Sequence, residues 1–104
     1  MIKYPPIDFW DSFKEAQGAM STVEAIFMYN ACLEVESNET CVEMGTFKGK
    51  SALVTLMAWK HKGQKTLYLL EPEFEKIEFL QEAHKNVKQF QNRHCDNTNC
   101  GFLK

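Results

Sequence analysis

Apolar residues recur along the chain in two rhythms, and the switches between them place the elements. Tyr4-Pro5-Pro6 is an extended lead-in, because proline restricts the residue before it as well as itself. From Asp8, the spacing of Phe9, Phe13 and Ala16 predicts a short helix, with Gly18 as its stop. Ser21-Thr22-Val23-Glu24 has the form of a capping box and opens a second helix. Val23, Ile26, Phe27, Asn30-Ala31 and Leu33 would be its inward face. After a polar loop over 36–39, Thr40–Met44 is a β-favouring run that breaks at Gly45-Thr46-Phe47-Lys48-Gly49. A helix with Ser51 near its start then has Ala52, Leu53, Val54, Leu56, Met57 and Trp59 to bury. Gly63 lies in the turn that follows. Thr66–Leu70 is almost continuously apolar, the pattern of a parallel strand covered on both faces. Phe74, Ile77, Leu80, Ala83, Val87 and Phe90 repeat every three or four residues, which predicts an amphipathic helix over 73–92.

The order β-α-β-α over 40–92 implies an α/β fold with parallel strands and a right-handed crossover. Residues 1–39 are a helical lead-in to it. Residues 93–104 read as a polar tail, or as the start of a third strand at the apolar end, Phe102-Leu103. Neither an internal repeat nor a low-complexity segment interrupts the chain.

Composition narrows the partners. At 104 residues, 44% hydrophobic and 25% charged, the chain has the make-up of one small globular domain. A formal charge of −2 gives no basic footprint for nucleic acid. No run has the length of a membrane span, and MIKYPPIDFWDSF lacks the apolar segment of a secretory signal, so neither a membrane nor a secretory role is expected. A cytoplasmic protein with reduced thiols follows, and Asn38-Glu39-Thr40 matches a glycosylation acceptor by chance. His84, His94, Cys95 and Cys100 lack the close pairs of a zinc site, so no metal is expected and the tail reading takes precedence. The methionines and aromatic residues read as packing.

A strand, a glycine turn and a helix N-terminus in that order make a place for a ligand. Glycines permit backbone angles and approaches that a Cβ forbids, and the first helical N–H groups have no partner within the helix. Those groups face whatever anion or carbonyl lies in the turn. Gly49-Lys50-Ser51 ends like a phosphate-binding P-loop, but that pattern requires glycine at position 44, where Met44 stands. Counted from Gly45 the loop is one residue short. Lys48 and Lys50 then read as solvated turn residues.

At these residues the chain resembles the class I S-adenosylmethionine-dependent methyltransferases, in particular their small-molecule O-methyltransferase branch. Glu43-Met44-Gly45-Thr46-Phe47-Lys48-Gly49-Lys50-Ser51 is similar to that family's first motif, acid-x-Gly-x-x-x-Gly-x-Ser. Glu71, 28 residues after Glu43, stands where the family has an acid at the tip of strand two. The likeness spans about Gly18 to Asn92 and implies the N-terminal half of a Rossmann-like methyltransferase fold. It also implies a cofactor, S-adenosyl-L-methionine, and a role for each residue. Gly45 and Gly49 would admit the methionyl part, with Thr46 and Phe47 against it. Ser51 would help hold the carboxylate, Glu43 would face the ammonium, Glu71 would accept from the ribose hydroxyls, and Pro72 would flank the adenine.

The resemblance leaves the methyl acceptor, a small molecule in this branch, and any catalytic base unnamed, since in the family those groups come after strands four and beyond. Two function classes follow: part of a methyltransferase, inactive without the remaining segments, or a non-catalytic module that at most binds the cofactor. A phosphate-binding nucleotide protein is the third reading. In the resembled fold the first strand is central. Its far edge would here be unpaired, with Val42 and Met44 beside it, and self-association through that edge is expected. As a strand-tip carboxylate, Glu71 is expected outside the core.

Overall fold

The computed structural model describes residues 1–36, 39–46, 48–60, 62 and 66–104. Among them the elements run α1 (Phe9–Glu15), α2 (Thr22–Leu33), β1 (Thr40–Met44), α3 (Lys50–Trp59), β2 (Thr66–Leu70), a 3-10 turn (Pro72–Glu75), α4 (Ile77–His94) and β3 (Asn99–Leu103). The three strands form one parallel sheet in the order β1-β2-β3. The expected α/β class and the two parallel strands hold. Of the two readings of 93–104, a third strand is what forms, over Asn99–Leu103 along β2, and α4 continues to His94 before it.

Each boundary has a local cause. Ser21 accepts from the Glu24 amide at 3.2 Å, and Glu24 accepts from the Ser21 amide at 2.9 Å, which closes the capping box that starts α2. α4 stops where Cys95 turns left-handed, at φ 53°, and the amides of Cys95 and Asp96 both return to the Gln91 carbonyl. The expected turn at Gly63 lies outside the described residues, as do Ser37, Asn38 and the motif residue Phe47.

Register explains the core. Cys41 stands beside Leu67 and Cys100, and Glu43 beside Leu69 and Phe102, so these six residues share one side of the sheet. That side carries the helices. Leu67 and Leu69 are buried with the apolar faces of α3 and α4, including Leu53, Leu56, Val87 and Phe90. Phe102 lies against Phe74 and against the His84 ring, 3.8 Å between centroids. α1 adds Phe9 and Phe13, both buried, with the Phe9 ring edge-on to Phe90. α2 is tied to α3 by the Trp59 indole, which donates to the Cys32 carbonyl, and by a Cys32–Thr55 side-chain contact.

Three expectations about faces fail for a common reason. Thr66–Leu70 is not covered on both sides, because Val42, Met44, Tyr68 and Leu103 line the opposite face of the sheet and remain exposed. Both sequential crossovers leave their helices on one side, so continuous hydrophobicity in β2 overstates its cover. In α2 the inward residues are Ala25, Met28, Tyr29, Cys32 and, as expected, Leu33, while Val23 and Phe27 are exposed. The small residues at 25 and 32 allow close approach to α3, and Val23 and Phe27 are left outside. Ile77, at the first turn of α4, is likewise exposed.

Candidate functional site at the glycine turn

The strands end level with one another at the carboxyl edge of the sheet. Beyond the paired residues, the Gly45 amide donates to the Leu70 carbonyl and the Glu71 amide donates to the Leu103 carbonyl, each at 2.8 Å. Gly45 and Glu71 therefore stand side by side at the edge where open parallel sheets bind ligands. Beside Gly45 and against the lead-in is a cleft of about 390 Å³ whose lining includes Met20, Glu24, Gly45, Thr46, Lys50 and Ser51; Glu43 and Glu71 are not among its lining residues.

The turn itself is held by backbone conformation and by α4. Gly45 and Gly49 have φ of 80° and 87°, the left-handed region where a side chain is strained. The Gly49 amide donates to the Thr46 carbonyl at 2.9 Å, and Gly49 is the cap residue of α3. A Cβ at Gly49 would lie 3.4 Å from the Ala83 carbonyl and 3.5 Å from a Val87 methyl, so α4 crosses the turn at backbone distance. Buried Asn86 fastens it by donating to the Lys48 carbonyl at 2.8 Å. Gly49→Ala is expected to destabilise the protein by about 1–2 kcal/mol, the cost of a left-handed non-glycine residue, as read from urea melts. An unchanged midpoint would mean that the turn relaxes freely.

Glu43 is the chemically conspicuous residue. Both of its carboxylate oxygens are buried and have no hydrogen-bond partner among the described residues; the Thr46 hydroxyl is in the same condition. Burial pushes the Glu43 carboxyl above its usual range. The nearby Thr46 and Ser51 hydroxyls pull it partway back, although neither meets either oxygen with hydrogen-bond geometry. A buried acceptor left unmade is costly, and a charged one more so.

Glu71 departs from expectation in one respect. It is 7% exposed, and its Oε2 accepts from the Glu73 amide at 3.1 Å, so it caps the turn that Pro72 begins. Glu71 is thus structural whatever else it does. The two lysines also differ from solvated residues. Lys50 places its ammonium 4.3 Å from the Phe13 ring centroid, while Lys48 donates to Gln17 at 2.7 Å and lies over Phe79.

The structure therefore brings Glu43, Gly45, Thr46, Gly49, Ser51, Glu71 and Pro72 to one end of the sheet. Asn86 was missed by sequence reasoning. Its signal is a polar residue within the buried stripe Ala83, Val87, Phe90, where a side chain without a task would be out of place. No family model matches the chain, and no curated protein matches it.

Proposed function

We propose that the carboxyl edge of the sheet binds S-adenosyl-L-methionine, and that the chain serves as the cofactor-binding half of a Rossmann-like methyltransferase. The observation that carries this reading is the Glu43 carboxylate, buried without a hydrogen-bond partner among the described residues, beside two left-handed glycines. A buried anion without a partner suits a ligand that brings a cation, and the ammonium of an amino-acid cofactor is one. The neighbouring cleft carries Thr46 and Ser51, whose hydroxyls would add to the site, and the start of α3 would offer its amides to the cofactor carboxylate. Glu71, one strand over, would hold the ribose, and Pro72 would border the adenine. Phe47 completes the motif and lies outside the described residues. When bound, the cofactor supplies an already activated methyl group, so these residues are asked only to bind and orient.

A phosphate ligand finds less support here. Lys50, the lysine a P-loop would direct at phosphates, is over the Phe13 ring, and Glu43 and Glu71 would both repel a triphosphate. Calorimetry with S-adenosylmethionine, S-adenosylhomocysteine and ATP is expected to rank ATP last. Glu71→Gln is expected to weaken cofactor binding by about 1–3 kcal/mol, the range for hydrogen bonds to a charged group. Because Glu71 also caps a turn, that variant loses some stability, so affinity is compared at a temperature where both proteins are folded. Magnesium-dependent ATP binding that Lys50→Ala abolishes would reverse the assignment.

A further inference from the structure

α1 is fastened to the rest of the molecule at two places, and one of them can titrate. Against α4 the fastening is polar. The Ser12 hydroxyl lies 3.0 Å from Nε2 of His94, and Asp8 Oδ2 lies 3.8 Å from Nδ1 of the same ring. Arg93 donates through Nη1 to the Ser12 hydroxyl at 3.0 Å, and through Nη2 to Glu15 at 3.1 Å. At its other end α1 runs to the glycine turn. Phe13 lies against the Lys50 ammonium, Gln17 accepts from Lys48, and a Cβ at Gly18 would stand 2.8 Å from the Lys50 Cβ. Gly18, Ala19 and Met20 then line the glycine-turn cleft.

The polar fastening suits a neutral imidazole. His94 is 3% exposed and packs on the Phe90 ring, 4.3 Å between centroids, yet it borders a water-filled cleft of about 460 Å³. A neutral ring can serve the Ser12 hydroxyl as donor or as acceptor. An imidazolium can only donate, as the guanidinium does, so two cationic donors would then meet at one buried hydroxyl. The charges facing the ring are mixed. Asp8 stands on α1, Arg93 on α4, Lys60 at the end of α3 and Asp96 in the turn after α4, while Asp11, Lys14 and Glu15 share the cleft.

We propose that Ser12, His94 and Asp8, with Arg93, form a proton-sensitive clasp: acidification loosens α1 from α4, and with it the residues that line the glycine-turn cleft. Burial holds the His94 imidazole below its ordinary value of 6.5; Asp8 and Asp96 pull it up, and Lys60 and Arg93 push it down. A ring freed into water takes its proton near 6.5, and the docked ring only at lower pH, so the loosened form binds more protons between the two values. The clasp is therefore whole above 6.5 and weakens as pH falls from there through the lowered value. Phe9 and Phe13 stay buried in most molecules at either pH, so the change lies in the fraction that opens. The clasp is independent of the proposed cofactor.

The test is hydrogen exchange of the ligand-free full chain at about pH 8 and about pH 5, corrected for the intrinsic pH dependence of exchange. Protection of the α1 amides, such as that of Ala16 bonded to the Ser12 carbonyl, should fall about fivefold or more in acid, while α3 and β2 hold theirs. Glu43 titrates with the opposite sign, its burial cost vanishing in acid, so it does not mimic the effect. His94→Gln keeps a neutral side chain and should make α1 protection indifferent to pH.

Two charge variants keep the proposal open to refutation if His94→Gln folds poorly. Asp8→Asn removes a carboxylate that favours the imidazolium, so the docked value drops further and the acid loss deepens. Lys60→Gln removes a cation that opposes it, so the loss shrinks. Opposite responses are the signature of a titrating ring, which a purely structural tether would not give. Unchanged α1 protection between the two pH values, an equal loss in His94→Gln, the same response from both charge variants, or α3 and β2 losing protection in step with α1 would each overturn the proposal.

Discussion

Replacing Glu43 by glutamine is expected to make the ligand-free protein more stable while removing its response to cofactor. The wild-type carboxylate is buried with neither oxygen hydrogen-bonded among the described residues. Glutamine keeps the shape, removes the charge, and offers an amide donor to the partnerless Thr46 hydroxyl. A gain of about 1–2 kcal/mol is expected, within the range for relieving a buried unsatisfied polar group. For a domain of this size that corresponds to a rise of roughly 5–10 °C in melting temperature. Saturating S-adenosylmethionine should raise the melting temperature of wild type and leave Glu43→Gln unmoved, because the partner of the ligand ammonium is gone. Residues whose ideal state exists only with ligand bound are where function and stability part company. If Glu43→Gln lost stability and still bound cofactor, Glu43 would be a structural residue.

The sign with pH follows from the direction of the shift. Burial raises the folded-state carboxyl above its ordinary value of 4.5, so the folded protein holds that proton more tightly than the unfolded chain. Glu43 therefore costs stability progressively as pH rises from about 4.5 through the raised value. Below that window the cost disappears, and the two proteins should converge in melting temperature. Cofactor binding runs the other way. A cationic ligand favours the charged carboxylate, so affinity should weaken as pH falls through the raised value, with a proton released on binding. Parallel melting temperatures for the two proteins across the whole range would mean that Glu43 is not the group responsible.

Most of the elements were legible because periodicity and punctuation agreed. The capping box at Ser21, the break at Gly45 and the stop of β2 at Glu71-Pro72 all mark real boundaries. What periodicity cannot state is which side of an element meets a neighbour. Val23 and Phe27 looked inward on hydrophobicity alone, but α3 approaches across Ala25 and Cys32, where small side chains allow contact. For 93–104 the third-strand alternative holds as β3, and the polar-tail reading fails because polar residues hid a continued stripe: Ala83, Val87, Phe90 and His94 follow one another at helical spacing, and all four are buried. A histidine in fourth place looks like a surface residue until Ser12, 82 positions away, supplies its hydrogen bond. The glycine turn was legible as a motif. Its support was not, because the Asn86 bond to the Lys48 carbonyl spans 38 positions.

The open side of the sheet leads to an expected self-association that a single charge should abolish. Among the described residues β1 pairs with β2 alone, and the bond from the Gly45 amide to Leu70 shows which way its backbone groups alternate. Odd-numbered residues of β1 turn toward β2, so the backbone groups of Thr40, Val42 and Met44 face outward along the free edge. The same residues put Val42 and Met44, 57% and 79% exposed, on the uncovered face beside Tyr68 and Leu103. None of these four residues carries a charge and β1 has no proline, so the shortness of the strand and the inward-pointing Glu43 are what oppose pairing at this edge. A second copy brings the complementary ladder. Across a two-fold axis β1 would meet its partner antiparallel, with Val42 nearest the axis and a six-stranded sheet as the result. Sedimentation over a concentration series should show wild type passing from monomer to dimer or larger species. Val42→Lys changes an exposed side chain, leaves the β1–β2 ladder intact, and should hold the protein monomeric with a melting temperature that no longer depends on concentration. Wild type that is already a concentration-independent, cooperatively melting monomer would show that water alone satisfies this edge.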